Sequence, residues 1–146
     1  MQPSLLRAKA EFMQADRDLL VVNANERSMT HKFAEYLQKE FPTWNVDCEY
    51  NRVGTGDTPK ELDWLREQIV RADDENAKTV YPDIIVHHRK QRENLLVIEA
   101  KKSGRDNSDD LQKLKAFTDD PQYRYKFAVS LCFVTGEASD VTFERR

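Results

Sequence analysis

Two carboxylates and an amine, Asp83, Glu99 and Lys101, stand where a short stretch of chain could gather them. Side chains alternate faces along a β-strand, so residues two apart share a face. The run 94–102 reads as a strand in which Glu99 and Lys101 extend the face of Leu95 and Val97, while Leu96, Ile98, Ala100 and Lys102 take the other. A preceding strand, 80–88, joins it through the wholly polar stretch 89–93. A hairpin symmetric about Gln91 sets Asp83 opposite Glu99. Opposed Cβ atoms lie about 4.5–5.5 Å apart, where like charges are destabilising unless something neutralises them. A divalent cation would: one or two carboxylates with waters and phosphate oxygens suit Mg²⁺, with Mn²⁺ an alternative. Lys101 would orient an attacking water and offset charge developing on a phosphate. The plain alternative is that Asp83 opens a strand and that Glu99 and Lys101 form a surface ion pair worth about 0–1 kcal/mol.

The elements that must position these residues follow from periodicity. A first helix is expected over about 4–20. A second is expected over 25–40, with Met29, Phe33, Tyr36 and Leu37 as its buried stripe and Pro42 ending it. A strand is expected over 44–53, with Asp47, Glu49 and Asn51 on one face that could line a substrate groove or simply be solvated, the solvated reading being favoured for Glu49 and Asn51. The stretch 54–78 opens on the loop GTGDTP and holds a helix, 60–71, that reads as an insertion. After the hairpin come a helix over 108–118, capped by Asn107 or Ser108, a strand over 126–135, and a short strand over 141–144. This order predicts a single α/β (α+β) domain over 1–146: a mixed β-sheet with helices packed on it, core 25–135.

Composition narrows the function. With 39% hydrophobic and 34% charged residues the chain is a charge-rich globular protein rather than a disordered or fibrous one. A net charge of −3 excludes a surface that is basic throughout, so any nucleic-acid contact must be local. Arg89, Lys90, Arg92, Lys101, Lys102 and Arg105 cluster in sequence around the candidate site and could supply it. Cys48 and Cys132 indicate neither a zinc site nor a disulfide framework. Charges interrupt 4–20, so neither a signal peptide nor a membrane span is expected, and the cytoplasm is the expected compartment.

Tyr81-Pro82-Asp83 followed by Val97-Ile98-Glu99-Ala100-Lys101 resembles the motif of the PD-(D/E)XK nuclease superfamily, which has the restriction-endonuclease-like fold. The resemblance implies a core of helix, three-stranded meander, helix and strand. It further implies a metal-dependent nuclease acting on phosphodiester bonds, with DNA the expected substrate. Asp83, Glu99 and the backbone carbonyl of Ala100 would then hold Mg²⁺, and Lys101 would assist the attacking water. An acid on the first core helix often joins such a site, and Glu26 is the equivalent here. Two readings of Glu26 stand: it faces inward with Met29 and Phe33, or it closes a capping box begun at Asn23. Some relatives carry a glutamine with a tyrosine four residues later on the next helix; Gln112 is present, but Ala116 holds the second position.

Arg52, Lys102, Arg105 and Lys113 are candidate phosphate contacts, although exposed basic residues need no ligand to explain them. His87 and His88 point to opposite faces near the hairpin tip and carry no metal-binding spacing. Trp44 and Trp64 read as core or rim. A homodimer mate or a partner protein could supply target choice. The competing function is a non-catalytic module for binding nucleic acid or protein on the same fold.

Overall fold

The computed structural model describes residues 1–50, 81–106 and 108–146. The helical insertion expected over 54–78 and the candidate contact Arg52 lie outside the described residues, as does Trp64.

The chain begins with α1, Gln2–Ala15, and α2, Arg17–Val21. One helix was expected here; instead Asp16 leaves helical geometry (φ −128°, ψ 19°). Its carboxylate accepts a hydrogen bond from the Tyr36 hydroxyl. That bond, with burial, pushes the Tyr36 phenol up to about 12. The break therefore coincides with a tertiary contact rather than with a helix-breaking residue. In α3, Glu26–Glu40, the Asn25 side chain caps the helix by accepting from the Ser28 N–H at 2.8 Å. The capping-box reading of Glu26 is thereby overturned: Asn25 is the cap, and Glu26 is the first helical residue. Met29, Phe33 and Leu37 are fully buried, as expected, while Tyr36 is half-buried.

Five strands form one mixed sheet in sequential order. They are β1 Asn45–Cys48, β2 Ile84–His88, β3 Glu93–Lys102, β4 Phe127–Val134 and β5 Asp140–Arg145. β1, β2 and β3 form an antiparallel meander, β4 runs parallel to β3, and β5 returns antiparallel on β4. The parallel step is bridged by helix α4, Ser108–Asp119, as a crossover requires. β1 is shorter than the expected 44–53, because Glu49 turns into the left-handed region (φ 52°) and ends the alternation that would have aligned Asp47, Glu49 and Asn51. Asp47 is not solvated; it is clamped by His87 and Arg89. Asn51 lies outside the described residues.

The sheet is covered on both faces, which makes the described chain an α+β protein with helices flanking a mixed sheet. Phe12, Met29, Phe33 and Leu37 of α1 and α3 pack on Ile84, Val86, Leu96, Ile98, Leu131 and Phe133. On the opposite face Leu114 and Phe117 of α4 pack with Tyr123, Tyr125, Ile85, Val97 and Ala128. Leu95 departs from expectation. It packs with the first cluster rather than on Val97's face, because the β2–β3 register slips between Val86 and His87 and a bulge interrupts the alternation. Among the described residues no helix is long and apolar enough to cross a membrane.

Candidate active site

The hairpin register puts Asp83 where symmetry predicted. Ile84 pairs with Ile98 and Ile85 with Val97, so one step further Asp83 faces Glu99. Asp83 itself lies just outside β2, after Pro82, which has no N–H to continue a ladder. The β2 side of β3 is consequently open at Ala100. The Asp83 carboxylate fills that opening by accepting the Ala100 N–H at 2.7 Å. A carboxylate is thus fixed to the strand that carries the second one.

Glu99 is 2% exposed, points to the α4 side of the sheet with Val97, and leaves Oε1 without a hydrogen-bond partner among the described residues. Lys113 on α4 reaches its other oxygen, with Nζ 3.6 Å from Oε2, and stands 3.8 Å from Asp110. Burial raises the Glu99 carboxyl well above the carboxylate range, with the neighbouring Asp83 charge adding to the shift and Lys113 opposing it. Burial also raises Asp83, to about 6, against the lowering effects of the Ala100 N–H and Lys113. Burial disfavours the Lys113 ammonium, but the charges of Glu99, Asp110 and Asp83 outweigh it and hold its pKa above the ordinary lysine value.

Glu26, Asp83, Glu99, Ala100, Lys101, Arg105 and Lys113 line one cleft of about 250 Å³, joined by Asp106 and Asp110. Glu26, from the start of α3, faces Arg105 across it at 3.4 Å. Lys101 is half-buried at the rim and has no ion-pair or hydrogen-bond partner among the described residues. The ammonium beside Glu99 belongs to Lys113, so the alternative of a Glu99–Lys101 surface pair is not what forms. Lys102 turns to the opposite face and donates to Asn23 Oδ1 at 3.0 Å. Gln112 is exposed and does not line the cleft. Asp106 and Asp110 were missed in the sequence. Asp106 accepts from the Ser108 N–H and hydroxyl, and Ser108 is the first helical residue; the other expected cap, Asn107, lies outside the described residues. Asp110 carried only a weak signal, its three-residue spacing from Lys113 on the helix.

The basic run from Arg89 to Arg105 does not form one patch. Lys101 and Arg105 line the cleft, whereas Arg89, Lys90 and Arg92 sit at the other end of β3, about 30 Å away at 3.3 Å per residue. Arg89 is also committed to Asp47. His87, 3% exposed, is 2.7 Å from Asp47, and His88 stacks on Trp44 with ring centroids 3.9 Å apart. Both histidines brace the hairpin. Cys48 and Cys132 are free thiols.

Mg²⁺ needs only one or two carboxylates and keeps much of its water. Among the described residues no three His, Cys, Asp or Glu side chains converge as a ready-made cage. The donors present fit the looser arrangement: two facing carboxyls with raised pKa values, one buried oxygen unpartnered, and a cleft open beside them. Comparison with family models, with curated proteins and with solved structures finds no significant match.

Proposed function

We propose that the chain is a metal-dependent nuclease, of the restriction-endonuclease-like fold, that hydrolyses phosphodiester bonds of DNA. The observation that carries this reading is the convergence of Asp83 and Glu99 in one cleft, with the buried Glu99 Oε1 unpartnered and Lys101 at the rim. The order α3, β1–β2–β3 meander, α4, β4 supports the fold assignment.

Asp83, Glu99 and the Ala100 carbonyl would hold Mg²⁺ or Mn²⁺, with Glu26 completing the acidic side of the cleft. When bound, the cation would polarise the phosphate and lower the pKa of a water. Asp83 is held in place by the Ala100 N–H, so one anionic donor is oriented before any ligand arrives. The N–H and C=O of one strand residue point to the same edge, which puts the Ala100 carbonyl beside Asp83. Lys101, which has no ion-pair partner among the described residues, would orient the attacking water and stabilise charge on the phosphate oxygens. Lys113 offsets the Glu99 charge from the α4 side.

The test is incubation of the purified chain with DNA and RNA substrates in Mg²⁺ or Mn²⁺, beside Asp83→Ala and Lys101→Ala. Cleavage that needs the metal and falls at least a hundredfold in both variants is expected. Equal cleavage by both variants and the parent would sink the assignment. DNA binding without metal-dependent cleavage would favour the non-catalytic module instead.

A further inference from the structure

A second cleft, about 460 Å³, opens between α3 and the end of β1 and shares Glu26 and Asp83 with the first. Its other walls are Arg27, Thr30 and His31 of α3, with Cys48 and Glu49. The two clefts therefore meet at the carboxylates, and the larger has the volume of a small-ligand site. Resting on the nuclease reading, we infer that this second cleft receives the DNA strand beside the scissile phosphate, with Arg27 binding the neighbouring backbone phosphate.

Three observations carry the assignment. Arg27 is the one permanently charged cation among the described residues lining the cleft, so a polyanion entering it meets this guanidinium. Among the described residues the guanidinium is held only by Glu49, at 3.1 Å, with the two side chains 82% and 47% exposed. Such a pair is worth about 0–1 kcal/mol, and releasing Glu49 leaves its carboxylate in water. Exchange for phosphate therefore costs little, and a planar fork of donors matches phosphate oxygens in pairs. The wall is also tied to the catalytic carboxylate: Glu49, in the left-handed region, donates its backbone N–H to the Asp83 carbonyl at 3.2 Å. A strand held by Arg27 is thereby registered against Asp83. The acids Glu26, Glu49 and Asp83 oppose a polyanion, so occupancy is expected to need the divalent cation.

The experiment measures binding of a short fluorescein-labelled single-stranded DNA by anisotropy in Mg²⁺ across a salt series, using the full chain carrying Lys101→Ala, which slows cleavage and keeps the carboxylates that would hold the metal. Adding Arg27→Ala is expected to weaken binding about five- to tenfold and to shallow the slope of log affinity against log salt by about 0.7, one phosphate on a single strand. Arg27→Lys restores the slope, and Lys39→Ala, outside the cleft, matches the parent. In the active chain Arg27→Ala raises KM and leaves kcat, as loss of uniform binding does. Affinity and slope unchanged by Arg27→Ala, in a chain that still cleaves DNA, overturn the cleft assignment alone. Neither cleavage nor binding by the parent overturns the nuclease reading and this inference with it.

Discussion

Asp83 and Glu99 are acids that the fold holds away from water and beside each other, so their effect on stability runs opposite to that of a salt-bridged carboxylate. The Asp83 pKa is about 6 in the folded chain against an ordinary value of 3.8. Between those pH values the folded state binds more protons than the unfolded one, and stability falls as pH rises. The metal-free chain is expected to lose on the order of 2 kcal/mol through this window. Asp83→Asn should flatten the dependence, and Mg²⁺ at pH 7.5 should recover part of the loss by binding only the folded state. Chemical denaturation at pH 4.5, 6 and 7.5 checks both; a parent and variant with parallel profiles would refute the account. Lys113→Met removes the ammonium beside Glu99 and should destabilise by about 1–3 kcal/mol at pH 8 and by less at pH 5, where the carboxyls take up protons. At this scale the sequence carried the pairing of Asp83 with Glu99, because strand alternation and hairpin symmetry are local. It could not show that Lys113 rather than Lys101 reaches Glu99, since that depends on how α4 lies on the sheet.

Polar side chains help to secure two of the elements. The Asn25 side chain caps the N-terminus of α3, and Asn25→Ala is expected to cost about 1 kcal/mol, read as a lower denaturation midpoint with an unchanged m-value. Because Glu26 follows that cap directly, the same variant should also weaken metal-dependent cleavage. β1 is fastened to the hairpin by Asp47, which takes hydrogen bonds from His87 and Arg89. Burial would raise this carboxyl, but those bonds and the nearby charges overcome it and hold it at about 2. Its stabilisation is present above about pH 4 and is lost as pH falls towards 2. Asp47→Ala should therefore destabilise at pH 7 and much less at pH 2.5. The strands and helices were readable from periods of two and 3.6, as the β3 and α4 ranges show; the strand expected over 80–88 joins the ladder only at Ile84, after Pro82. The break at Asp16 and the early end of β1 at Glu49 were not, because a distant hydroxyl and a left-handed backbone decide them, and neither leaves a periodic trace.

Across the whole molecule, charge is arranged along the length of β3. The cleft with Lys101 and Arg105 lies at one end, and the hairpin tip with Lys90 and Arg92 lies at the other, about 30 Å away. In sequence these cations look like one patch because they fall within residues 89–105; an extended strand separates them in space. Only a substrate long enough to span that distance can touch both. Duplex DNA rises 3.4 Å per base pair, so about nine base pairs are needed. The double variant Lys90→Ala/Arg92→Ala should then leave cleavage of a duplex of about six base pairs unchanged, while lowering the affinity and salt dependence of one of about twenty. Competition assays with the two lengths, at matched salt, read this directly. Weakening of both lengths to the same degree would mean that the tip acts through the fold rather than by touching DNA. Weakening of neither would confine the interface to the cleft end of the sheet, with Arg27, Lys101 and Arg105 as its cations.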